Sequence, residues 1–181
     1  MRNKIITKGF TLVELLVAIS ILSLSILAAF TAVSNNIKGS NFSQDQITAY
    51  YLADEGIEFI RNVRDQNDIQ NQYDLANGSG SVNWLAGIAA TAGDPCGASK
   101  TCQFDSWHAT LTSCGVSCNV LDLDPSTGLY NYVTGATTPF TRTITVTVNS
   151  STEALVTVNV SWTTNSVSKT FSESEILRAW Q

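Results

Sequence analysis

The sequence is short of charge, short of helix breakers in its first half, and nearly without histidine. Charged residues make up only 14% of the 181 against 44% apolar, too few to clothe an ordinary soluble surface. No proline occurs before Pro95, so nothing forces a break in a helix that begins near the N-terminus. The single histidine, His108, would have to serve any hydrolase of the Ser–His or Cys–His kind. No nucleophile-elbow pattern surrounds it, so it reads as a strand or loop histidine and no catalytic residue is assigned. After Gly9 the basic residues form no patch or arginine cluster and are outnumbered by acids, which repels phosphate backbones; nucleic-acid binding is not expected of this chain alone.

The apolar residues are gathered in one place. From Phe10 to Val33 runs FTLVELLVAISILSLSILAAFTAV, 24 residues with one charge, Glu14. As a helix this run is about 36 Å long at about 1.5 Å per residue, enough to cross a hydrocarbon core of about 30 Å. Arg2, Lys4 and Lys8 precede it without any acid, which holds that end in the cytoplasm and places everything after Asn35 outside. A secretory signal peptide shares the basic start, and Ala32-Val33-Ser34 is a tolerable cleavage site, but its apolar region is typically shorter. An uncut signal anchor accounts for length and orientation. Neither accounts for Glu14, since a carboxylate in the bilayer costs about 2.5–3.5 kcal/mol and by default marks function.

The string Lys8-Gly9-Phe10-Thr11-Leu12-Val13-Glu14-Leu15-Leu16 resembles the processing signal of type IV prepilins and type II secretion pseudopilins. The resemblance implies cleavage by a prepilin peptidase after Gly9, on the cytoplasmic side of the apolar run, and N-methylation of the new terminal residue, Phe10. Glu14 then stands fifth in the mature chain, where family members carry a glutamate that meets the terminal amine of a neighbouring subunit. The residue types suit that chemistry. Gly9 lets an extended backbone lie close in a protease cleft. Cutting there exposes a cationic amine, and pairing it with a carboxylate lowers the cost of burying either in a helical bundle. Loss of the leader leaves seven basic against fifteen acidic residues and moves the formal charge from −5 to −8.

Beyond Val33 the pattern becomes amphipathic. Ile47, Tyr50, Ala53, Ile57, Ile60 and Val63 recur every three or four residues as one apolar stripe, with Asp45, Asp54, Glu55, Glu58, Arg61 and Arg64 on the polar sides. Glu55 and Glu58 read as a solvated face rather than an acid–base pair. The spacing predicts one helix from about Phe10 to Asp65, with Gly39 and Gly56 as possible bends. The stretch Tyr51–Arg61, YLADEGIEFIR, resembles the same part of the helix in minor pilins. Many major pilins carry a proline in the apolar segment; its lack here leans toward a minor or initiating subunit.

Asn67–Gly80 is polar and asparagine-rich and reads as a loop. Strand signals start near Gln103, and Leu129–Val133 is a short aromatic candidate. Phe140, Arg142, Ile144, Val146 and Val148 alternate with threonines, and Ala154, Val156, Val158, Val160 and Trp162 alternate with polar residues. Such period-two runs are strands with one buried face. Asn149–Thr152 is a hairpin-sized loop, and Asn165-Ser166 turns into a third strand over Val167–Ser172. The expected fold class is α+β: a long N-terminal membrane-spanning helix packed on an antiparallel sheet, as in pilin heads. The expected partition is a leader at 1–9, a membrane half of the helix at 10–34, an amphipathic half at 35–66 and a β-rich head at 67–181.

Cys96, Cys102, Cys114 and Cys118 fall on the outer side of the membrane, where disulfides persist. Local pairing, Cys96 with Cys102 and Cys114 with Cys118, is the first choice among three connectivities, and zinc and free thiols are the alternatives. Asp122–Gly128, DLDPSTG, resembles half of an oxygen-rich calcium loop, but its glycine is one place late and the closing glutamate is missing, so a turn is the plainer reading. Trp84, Trp107, Trp162 and Trp180 are candidates for packing or for an adhesive surface. No cofactor or metal is called for. Two functions remain: a structural subunit of a type IV pilus-like or pseudopilus filament, or a membrane-anchored tip module with a ligand-binding head. The expected partners are the prepilin peptidase, other pilin or pseudopilin subunits and the inner-membrane assembly platform.

Overall fold

A computed structural model describes residues 9–115, 117–164 and 166–179. By its contacts the chain divides into two units, one ending at Gln44 and one starting at Asp45. A single helix, α1 (Leu12–Ala76, 65 residues), supplies nearly all of the first unit and the opening of the second. Thr11 caps its start: the Glu14 N–H donates to Thr11 Oγ1 at 3.3 Å, which satisfies one of the free amides of the first turn. The helix is long and apolar enough to cross a membrane, and its apolar stretch is wholly exposed in the first unit.

The helix runs about ten residues past the end that periodicity predicts, through part of the stretch read as a loop. Side chains explain the extension. Asn67 donates through Nδ2 to the carbonyls of Trp84 and Ala86, at 3.1 and 2.9 Å, so a polar residue holds the helix against the following loop. The end is set at Gly78, whose φ of +71 suits glycine, with Gly78 N–H on the Leu75 carbonyl and Ser79 N–H on the Asp74 carbonyl. Neither Gly39 nor Gly56 interrupts α1. At Gly56 the reason is close approach: an added Cβ would lie 3.2 Å from Val158 Cγ1.

Among the described residues, the second unit closes a seven-stranded antiparallel sheet against the outer half of α1. After a short 3-10 helix (Gly97–Ser99) come β1 (Thr101–Asp105), β2 (Thr110–Ser113), β3 (Val120–Leu123), β4 (Tyr130–Asn131), β5 (Ala136–Ser150), β6 (Glu153–Thr164) and β7 (Val167–Arg178). The last three strands form a meander, and β7 extends six residues beyond the expected Ser172. Asn165, in the expected turn, lies outside the described residues. The other edge of β5 is shared by β1 and β3, so the sheet is not a simple meander. Pro139 falls where the register of β5 against β3 shifts, between Thr137 and Thr141, and before pairing with β6 begins at Thr141.

The buried faces of β5 and β6 are those that alternation marks, including Phe140, Ile144, Val146, Val156, Val158, Val160 and Trp162. They pack on Leu52, Ala53, Ile57 and Ile60 of α1. The helix is rotated from the expected stripe, however. Ala49, Leu52 and Gly56 are buried, whereas Ile47 and Tyr50 stay open. This α+β arrangement, a long N-terminal apolar helix followed by a curled antiparallel sheet, is pilin-like.

Candidate functional site

The first site is linear and lies at the start of α1. Gly9, Phe10 and Thr11 precede the helix, and Gly9 has open space around its Cα, so the bond between Gly9 and Phe10 is in non-helical backbone. Glu14 follows in the first helical turn, where the partial positive charge of the helix N-terminus favours a carboxylate. Phe10 and the apolar residues after it are exposed, as a segment surrounded by lipid or by other helices has to be.

The second feature is a charge inside the head that the sequence reading placed on a face but gave no role. Arg142 belongs to the alternating row of β5 with Phe140 and Ile144, and it is buried as completely as they are. Its guanidinium donates to Glu55 Oε2 at 2.6 Å, to the Leu52 carbonyl at 3.1 Å and to the Phe104 carbonyl at 2.8 Å. It also lies over the Phe104 ring, 4.9 Å from the centroid. Glu55 is partly open to solvent, as expected of the polar side, but it also anchors the helix to the sheet. Its neighbour Glu58 does face solvent and pairs with Arg61. The missed signal was an arginine in phase with aliphatic residues, since a wholly buried arginine demands a carboxylate.

The four cysteines form two disulfides, Cys96–Cys102 and Cys114–Cys118. The first is buried, where it ties the 3-10 helix to β1; the second is half-buried and closes the loop between β2 and β3. Asp124 accepts hydrogen bonds within its own turn: Oδ1 from Ser126 N–H and Oγ at 2.8 and 2.7 Å, and Oδ2 from Thr127 Oγ1 at 3.1 Å. The Ser126 hydrogen bonds, with Thr127, hold its carboxyl below the usual range. His108 Nδ1 meets Asp105 Oδ2 at 2.7 Å on the surface. Trp84 is buried and donates to the Ser151 carbonyl at 2.9 Å, Trp162 is in the core and Trp107 is exposed. Trp180 lies outside the described residues.

A glycine–phenylalanine bond just ahead of a capped apolar helix with one acid in its first turn is a type IV prepilin-like signal, and here it leads into an antiparallel head. Sequence comparison agrees: residues 7–30 match the model of the prokaryotic N-terminal methylation motif, which supports processing of the type IV pilin kind. No curated protein and no solved structure matches the chain. The apolar helix and the motif together fit a single-pass membrane anchor bearing a head.

Proposed function

We propose that the chain is a structural subunit of a type IV pilus-like or pseudopilus filament. A prepilin peptidase removes the leader, 1–9, by cutting after Gly9, and Phe10 is N-methylated. Residues 10–34 span the membrane and the head stands outside it. On assembly, the apolar helices bundle in the filament interior and Glu14 of one subunit pairs with the Phe10 amine of another. In that low-dielectric bundle the pair satisfies two charges that neither could bury alone. The role is structural: the subunit contributes packing surface and charge, and the chemistry on its own chain is done by the processing enzymes. The observation that carries this reading is the methylation motif at 7–30, set at the start of an uninterrupted helix long and apolar enough to cross a bilayer.

Intact-mass and N-terminal analysis of the protein from its native host tests it. The expected product begins at Phe10 and carries one added methyl group. A retained leader, or a start near Asn35, sinks the reading. Gly9→Leu should insert into the membrane and stay uncut, because the basic leader and apolar run are untouched.

A further inference from the structure

The apolar stripe of α1 is wider than the part of it that the sheet covers. Ile47, Tyr50, Asp54, Glu58 and Arg61 follow at three- and four-residue intervals along one flank of the helix, beside the edge strand β7. On this flank Tyr50 meets Phe171 edge-on with ring centroids 5.8 Å apart, and farther along Arg61 meets Glu175 at 2.5 Å. Between these two matched rungs stand two acids, Asp54 and Glu173. One Glu173 carboxylate oxygen is buried without a hydrogen-bond partner. Burial, and then the charges of Asp54 and Glu175, push the Glu173 carboxyl up from its ordinary value. Next to this rung Ile47, Tyr50, Tyr51 and Val167 are 57, 46, 64 and 51% exposed, and Tyr50 and Tyr51 pack edge-on at 5.5 Å. An aromatic patch this open beside uncompensated carboxylates is the surface a cation framed by apolar groups fits best.

The chain itself carries such a group. Arg61, Arg64, Lys100, Arg142, Lys169 and Arg178 all have partners within the chain. Among the described basic residues only Lys38 has none, and it lies exposed on α1 beside Ile37, with Phe42 one turn on. We propose that the flank between α1 and β7 is a docking surface for a second copy of this chain, whose Lys38 enters between the Tyr50–Tyr51 pair and the Asp54–Glu173 carboxyls. The proposal rests on the filament reading and adds to it the head surface and its partner residue. The ammonium sits against aromatic faces and supplies the counter-charge that Glu173 lacks, while Ile37 and Phe42 cover Ile47 and Val167. Lys38 and its receiving flank are different patches of one sequence, so the contact is heterologous. Repeated from copy to copy it generates a ring or an open series rather than a closed dimer, and the open series is what a filament requires.

The test uses the full-length protein in its native host with charge reversals Lys38→Glu and Asp54→Lys, singly and together. Oxidation of both cysteine pairs serves as the check that the head is folded. Each single reversal should lower the share of subunit in sheared filaments, relative to membranes, by roughly fivefold, and the double reversal should recover most of it. Singles that incorporate like wild type, or a double no better than the singles, overturn the proposal. A photo-crosslinking residue at Tyr51, read in membranes and filaments alike, separates this from the filament reading. Crosslinks to a peptide containing Lys38 support the docking even if filaments are never recovered. Crosslinks to lipid or to another protein, or none in either fraction, refute it.

Discussion

Arg142 of β5 and Glu55 of α1 meet at 2.6 Å, the arginine side chain fully buried and the glutamate partly open to solvent. The pair is asymmetric in consequence. Removing the glutamate leaves a buried cation with two carbonyl partners, whereas removing the arginine opens a cavity and takes the guanidinium donor from the Phe104 carbonyl; the Leu52 carbonyl keeps its place in the helix ladder. Glu55→Gln should cost about 1–3 kcal/mol and Arg142→Ala about 2–5 kcal/mol. Arg142→Met, which keeps volume and loses the charge, should fall closer to wild type. Thermal unfolding of the detergent-solubilised full chain, followed by near-ultraviolet circular dichroism, checks the order. Equal losses for Met and Ala would show that the charge and its hydrogen bonds, not the side-chain volume, hold the helix here.

Glu14 is separable from the head. Glu14→Ala should insert into the membrane slightly better than wild type, since a charge worth about 2.5–3.5 kcal/mol at a helix centre has gone. Cleavage after Gly9 should persist. Incorporation into sheared filaments should drop sharply, measured by immunoblot against the membrane fraction. Equal incorporation of mutant and wild type would remove Glu14 from assembly.

The two disulfides should differ in access. Cys96 and Cys102 are fully buried, while Cys114 and Cys118 are half-buried at the surface. Mild reduction of the folded protein, followed by alkylation and peptide mapping, should label Cys114 and Cys118 first. Simultaneous labelling of all four would mean that burial does not protect the first pair. Four alkylatable thiols before reduction would contradict the disulfides outright.

Two carboxyls should give opposite pH signatures. Asp124 is held below the ordinary carboxylate value, so the stability it contributes is present above that value and is lost as pH falls through the depressed one. Asp124→Asn should therefore flatten the acid limb of the stability profile. Glu173 is pushed up, so its favourable, protonated state is present below the ordinary value and is lost as pH rises through the raised one. Glu173→Gln should raise the melting temperature at pH 7 and change it little at pH 4. A rise of the same size at both values would assign the effect to packing instead of charge.

The processing signal and the anchor could be read directly because both are linear. A glycine–phenylalanine bond ahead of an apolar run with one acid means the same whatever the rest of the chain does. The two long strands were equally legible, since alternation reports a buried face without reference to a partner. The last turns of α1 were not, because Asn67 belongs to the helix only through the carbonyls of Trp84 and Ala86, which arrive from the following loop.

What the sequence by itself determined is therefore the motif, the membrane-length helix and the inward faces of β5 and β6, all of them properties of neighbouring residues. Only the tertiary structure decided which charges are satisfied. Glu55 and Arg142 are 87 residues apart, and periodicity placed one on a polar side and the other on an apolar face without joining them. Periodicity likewise shows that α1 has an apolar stripe but not how far the sheet covers it. That width depends on the rotation of the helix, which Gly56 sets by admitting Val158 so closely. Ile47 and Tyr50 are left outside the core for that reason, because a helix of fixed diameter can bury only the arc that its sheet can reach.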